Sequence, residues 1–281
     1  MTASKSNQNN WKSPTKKPSV NVDVVVLCRT NDISYSFSFP PGILLVKSVK
    51  DAIVGKLQIT PKESKMFSLW ILTKDLELQL RETDDLACVL TLWNNWTVKY
   101  THVQSVNTTP SFTLVYKREA ACTIAEEELN ISPTTTALLF GDILRLIELN
   151  RVHLTQMNAA MLAGIKLHLN NGEFQPTQCS PGYLNIEKLK QLVPNSLIND
   201  TSPEEWETLI SSHYKSLVGV PSSTAMEKFL VIARNFPGYG SSFFPVCTEL
   251  SQSKKFEERL QNWLIGIGPK GITITDQNTK V

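Results

Sequence analysis

The sequence predicts an α+β chain organised in successive blocks. Three observations carry that expectation. Residues 21–118 mix β-branched and aromatic runs with one helical pattern. Residues 119–236 show helical patterns joined by short loops, and from 240 onward strand-like runs return. A chain of 281 residues exceeds one ordinary small domain, and 41% apolar residues suffice for more than one core.

The first 20 residues, "MTASKSNQNNWKSPTKKPSV", are polar, carry four lysines and lack the apolar stretch of a secretory signal. They read as a disordered, solvated tail, with contact to an acidic membrane surface as the alternative. "VNVDVVVLCR" and "SYSFSF" form two strands split by Thr30-Asn31-Asp32, a hairpin signal. "LVKSVKDAIVGKLQ" puts Val46, Val49, Ile53 and Leu57 on one helical face, and Pro61 ends that helix. "KMFSLWIL", "LELQL" and "SFTLVYKR" read as further strands. This order is that of a ubiquitin-like β-grasp roll.

In the second block, Ser132 precedes Pro133 as an N-cap with proline at the first helical position. Leu138, Leu139, Ile143, Leu146 and Ile147 form the buried stripe of that helix. "TQMNAAMLAGIKLHLNNG" is a second helix, with Gly172 as a left-handed stop. "NIEKLKQLV" is short and ends before Pro194. Ser202 with Glu205, and Thr224 with Glu227, read as capping boxes that open two more helices. The spacing of the apolar faces suits a helical bundle.

The third block holds "SSFFPVC", "NWLIGIG" and "GITITDQ". About 40 residues are too few for a complete, independently stable β domain, so this unit is expected to be truncated or vestigial.

Composition argues against several functions. A net charge of +2 falls short of the concentrated basic character expected for nucleic-acid binding. No apolar run reaches the roughly 18 residues of a membrane span. The five cysteines, at 28, 88, 122, 179 and 247, lack metal spacing and read as reduced cytosolic thiols, so the sequons at Asn95, Asn107, Asn130 and Asn199 are chance matches. "GIGPKG" satisfies G-x-G-x-x-G, but a strand follows where a dinucleotide site needs a helix, so a hairpin turn is expected. "GYGSS" lacks the glycine frame of a nucleophile elbow. His153 reads as a loop residue and His168 as a surface one. The acidic runs Asp84-Asp85, Glu126-Glu127-Glu128 and Glu204-Glu205 read as solvated faces. No catalytic residue, metal ligand or cofactor site emerges. Lys47, Lys50, Lys56, Lys62 and Lys65 make the best basic patch, suited to an acidic partner or lipid headgroups, with an ordinary solvated face as the alternative.

The roll, the bundle and "YGSSFF" opening a new sheet together resemble a FERM domain. Tyr239, Gly240, Phe243 and Phe244 match the family's mark where the second and third lobes join. "WLIGIGPKGITITD" is similar to the strand and hairpin that follow, and "ALLFGDILRLIELNR" to the first long helix of the helical lobe. "FSLWILTKDLELQL" and "GYLNIEKLKQLVP" resemble the Krit-type and FERM-domain-containing 8 scaffolds. The resemblance implies a tail over 1–20, a ubiquitin-like lobe over 21–118, an acyl-CoA-binding-protein-like helical lobe over 119–236 and an incomplete PH/PTB-like lobe over 237–281. It also implies a non-enzymatic adaptor, cytoplasmic and peripheral at the plasma membrane or cell junctions. The implied partners are a transmembrane receptor tail, a Rap-type small GTPase or an anionic phospholipid surface. The alternative is a regulatory piece of a larger kinase, phosphatase or myosin. Phe243 and Phe244 would point to opposite faces of the new strand.

Overall fold

The computed structural model describes residues 21–29, 33–73, 76–101, 112–179, 181–249 and 260–276. The expected tail over 1–20 and the tripeptide Thr30-Asn31-Asp32 lie outside the described residues. The architecture is mixed α+β, as expected.

The alternation of valines in "VDVVVLC" makes β1 (Val22–Cys28), which buries Val24, Val26 and Cys28. It pairs antiparallel with β2 (Ile33–Phe39) from Val22↔Phe39 to Cys28↔Ile33. Helix α1 (Val46–Leu57) buries Val46, Val49 and Ile53. It ends three residues before the expected Pro61 stop, where Gln58 turns left-handed at φ 55°. Strand β3 (Phe67–Leu72) is buried throughout, flanked by β4 (Glu77–Gln79) and β5 (Thr113–Arg118). The sheet order β2-β1-β5-β3-β4 sets β1 parallel to β5 at its centre.

Helix α2 (Leu86–Tyr100) has no counterpart in the sequence expectation. Its run "LACVLTLWNNWTVKY" is rich in β-branched and aromatic residues, which blurs the helical pattern. Two signals for it are present. Asp85 caps its N-terminus by accepting from the Ala87 amide, and Leu86, Val89, Trp93 and Thr97 are buried at helical spacing.

Helix α3 (Ile124–Leu129) opens on a complete capping box between Thr123 and Glu126. Helix α4 (Pro133–Glu148) follows with Ser132 as its cap, boxed with Thr135. Helix α5 (Gln156–Asn171) ends at Gly172, whose φ of 76° and ψ of −146° are positive-φ but outside the left-handed helical basin expected there. Helix α6 (Ile186–Leu192) stops before Pro194. Helix α7 (Pro203–Lys215) forms only half the expected box: Ser202 accepts from the Glu205 amide, while the Glu205 carboxylate takes Gln156. Helix α8 (Ser222–Ala233) starts earlier than expected, directly after Pro221, so Thr224 lies inside it and caps nothing.

Strands β6 (Ser242–Glu249), β7 (Leu260–Gly268) and β8 (Gly271–Asp276) form an antiparallel sheet. One buried cluster runs from Val24 through both the first sheet and the helices to Tyr239. The sheet and the helices therefore share a core. A smaller cluster of Trp70, Leu72 and Val115 stands apart from that core, because alternation along β3 and β5 turns these side chains to the other face of the first sheet.

Candidate functional site

The fold brings the end of β5, helix α3, the end of α8 and the turn before β6 to one point. That point is Glu127. The capping box uses Glu126 at the mouth of α3. Successive helical residues diverge by about 100°, so three adjacent acids cannot all face water. Glu128 stays largely exposed, while Glu127 is fully buried. The expectation that all three lie on a solvated face is corrected here.

Glu127 Oε2 accepts from Arg118 Nε at 2.9 Å. Its Oε1 accepts from Arg234 Nε at 2.7 Å and from the Tyr239 hydroxyl at 2.6 Å. Arg118 is itself 6% exposed and donates from Nη2 to the Cys122 carbonyl at 2.6 Å. Its Nη1 reaches the Gly240 carbonyl at 3.4 Å. Arg234 approaches Glu128 at 3.7 Å. A buried carboxylate is costly unless paired and hydrogen-bonded, and here three charge-assisted bonds satisfy it. Burial, and then the Glu127 charge, hold the Tyr239 phenol well above its ordinary pKa, so it remains a donor.

Gly240 makes the approach possible. Its φ is 68°, and a Cβ there would sit 2.6 Å from Arg118 Nη1. Phe243 is buried, its ring against Gly238 and Gly266. Phe244 is half-buried and pairs across the sheet with Ile265.

Beside this hub lies Asp142 of α4. It accepts from the Arg118 amide at 2.8 Å, while its second oxygen has no protein partner. Burial pushes the Asp142 carboxyl up, against the pull of Arg29 and Lys117. Arg29, Lys117, Tyr239, Ser241 and Ser242 help enclose a cavity of about 30 Å³ there. That is room for about one water.

The lysines do not form one surface. Lys50 is 8% exposed and bonds Glu82 at 2.8 Å, which removes it from the expected patch. α1 points it inwards beside Val46, Val49 and Ile53. Lys47 is exposed but paired with Asp51 at 2.9 Å. Lys56, Lys62 and Lys65 are exposed. His168 is not a surface residue: it is 3% exposed, with Nε2 2.8 Å from the Val220 carbonyl. "GIGPKG" is the β7–β8 hairpin, closing at Gly268↔Gly271, as expected. Among the described residues no helix is long and apolar enough to cross a membrane, and no group of acidic, His or Cys side chains is placed to hold a metal.

Residues 126–244, from the capped helix with Glu127 to the aromatics beyond Tyr239, match the family of the FERM central domain. Rat merlin (Rattus norvegicus) is 27% identical over 159 residues, 56% of this chain and 25% of that protein. A moesin/ezrin/radixin homologue from Culex quinquefasciatus is 25% identical over 157 residues, 55% of this chain and 25% of that protein. Myosin-VIIa of Drosophila melanogaster is 30% identical over 123 residues, 43% of this chain but 5% of the myosin. The matches thus span about a quarter of the merlin and moesin-type relatives. The fold resembles the human myosin 7b C-terminal MyTH4-FERM domain, solved with the harmonin-a PDZ3 domain. The TM-score is 0.67 at 22% identity, covering 93% of this chain and 50% of that one. The Drosophila merlin FERM structure gives 0.63 at 19% identity, covering 92% and 77%. The narrower resemblance to Krit-type and FERM-domain-containing 8 scaffolds finds no support among these relatives.

Proposed function

We propose that the chain is a non-enzymatic FERM adaptor at the cytoplasmic face of the plasma membrane, linking a receptor tail or anionic lipid to cytoskeletal, trafficking or GTPase partners. The observation that carries this reading is the match of residues 126–244 to the FERM central domain, set in a FERM-like fold. Relatives of the merlin and moesin/ezrin/radixin kind support the membrane–cytoskeleton part. The three-lobe division at 21–118, 119–236 and 237–281, the Rap-type GTPase and the lipid contact belong to this proposal. Lys56, Lys62 and Lys65 are the exposed part of the basic patch without an ion pair among the described residues, and the natural lipid contact. Each lysine near an anionic surface is worth about 1 kcal/mol.

Sedimentation with phosphatidylserine vesicles, alongside capture by GTP-loaded Rap-type GTPase, tests the reading. Charge reversal at Lys56, Lys62 and Lys65 should weaken vesicle binding. Binding to neither vesicles nor the GTPase would contradict it. A second reading, a regulatory FERM unit of a larger myosin-type protein, is favoured by the myosin 7b fold match and the myosin-VIIa similarity. It predicts binding to a motor segment in place of the membrane.

A further inference from the structure

The first sheet ends at β2, and among the described residues nothing pairs with the outer edge of that strand. A free edge presents a row of unsatisfied amide and carbonyl groups, and proteins ordinarily blunt it with charge, proline or a bulge. β2 has none of these. Its sequence, "ISYSFSF", is seven residues without a charge, a proline or a glycine, and its register with β1 is continuous from Ile33 to Phe39. Ser34, Ser36 and Ser38 form one exposed column. Tyr35, Phe37 and Phe39 form the other, half-buried against the core, with the Phe37 and Phe39 rings 6.3 Å apart.

This pattern is its own complement. Laid antiparallel on a second copy about a two-fold axis at Ser36, all seven positions pair. Ser36 faces Ser36, Ser34 faces Ser38, Tyr35 faces Phe37 and Ile33 faces Phe39. Serines meet serines on one face of the joined sheet, and apolar side chains meet apolar ones on the other. A one-residue slip would set serine against aromatic on each face. The strand carries no charge to repel its own copy. Such an isologous contact needs only one surface patch, used twice.

We infer that β2 is a self-association edge, through which two copies of this chain join their five-stranded sheets into one continuous sheet centred on Ser36. The occupant is a second copy because the register matches side chain to side chain without a charged or polar mismatch.

Sedimentation velocity on the whole chain, over a hundredfold range of concentration, should show a monomer–dimer equilibrium. Ser36→Lys and Ser36→Glu each set like charges opposite one another at the axis and should give monomers. An equimolar mixture of the two should restore the dimer. Ser36→Cys should cross-link under mild oxidation, since directly opposed strand residues lie within disulfide range. Circular dichroism would establish that each variant is folded. A wild-type chain that stays monomeric throughout overturns the inference. So does a dimer indifferent to Ser36→Lys, which would place the contact elsewhere, for example on the exposed Ile267, Ile272 and Ile274 of the second sheet.

Discussion

The Tyr239 hydroxyl lies 2.6 Å from Oε1 of Glu127, across 112 positions of sequence. This bond ties the turn before β6 to α3, and Glu127 in turn ties both to β5 and α8 through Arg118 and Arg234. Tyr239→Phe removes the hydroxyl but leaves the carboxylate held by both arginines. A loss of about 1.5–3 kcal/mol, the range for a hydrogen bond to a charged group, is expected. Tyr239→Ala also removes a buried ring and should cost about 3–5 kcal/mol. Denaturant titration of the two variants distinguishes them.

Phe243 and Phe244 should differ in the same assay. Phe243 is 5% exposed and fills the space left by Gly238 and Gly266. Its replacement by alanine should cost about 3–5 kcal/mol, with faster amide exchange in β6 and β7. Phe244→Ala should cost less, because that ring is only half-buried. Equal losses would contradict this packing.

Gly141 of α4 faces the backbone of Arg29, and a Cβ there would collide with the Arg29 carbonyl oxygen. The obstacle is backbone rather than a movable side chain. Gly141→Ala should therefore destabilise by more than the ~1 kcal/mol that helix propensity would return. A stabilised variant in thermal melts would show that β1 and α4 are less closely joined.

Asp142 supplies a pH test. Burial raises its folded pKa above the ordinary 3.8, so the folded state holds the proton more tightly than the unfolded chain does. The stability this contributes is present below the unfolded value and is lost as pH rises through the folded one. Asp142→Asn keeps an acceptor for the Arg118 amide and removes the titration. The difference in stability between the two proteins should shift in favour of the variant as pH rises from about 4 towards neutrality. Glu63 and Glu126 have lowered pKa values and slope the opposite way, but they are common to both proteins and cancel. A difference that does not change with pH would exclude the buried acid as a contributor.

Much of the fold was legible in the sequence because local chemistry agreed with it. The valine alternation of β1, the Ser132-Pro133 start of α4 and the hairpin at Gly268–Gly271 each follow from patterns a few residues long. Helix α2 was not legible, since its aromatic and β-branched content hides its period and its clearest mark is the single cap at Asp85. Glu127 was hidden for a different reason. Its partners lie 9, 107 and 112 positions away, and three adjacent glutamates look alike until the helix turns one of them inwards. The signal available was the capping box at Thr123 and Glu126, which sets the phase of α3 and so leaves Glu127 to face the core. Lys50 misled in the same way: the apolar stripe of α1 that placed Val46, Val49 and Ile53 inside also carries Lys50 inwards, to Glu82.

The central claim is that the Glu127 carboxylate holds the first sheet, the helices and the second sheet together. Hydrogen exchange on Glu127→Gln, with its denaturant stability, tests it most directly. The variant keeps the shape but takes the counter-charge from buried Arg118 and leaves buried Arg234 only the more distant, exposed Glu128 at 3.7 Å, which should cost about 3–5 kcal/mol. Protection should fall together at the end of β5, the end of α8 and the start of β6. Stability within about 0.5 kcal/mol of the parent, with unchanged exchange in those three segments, would contradict the claim.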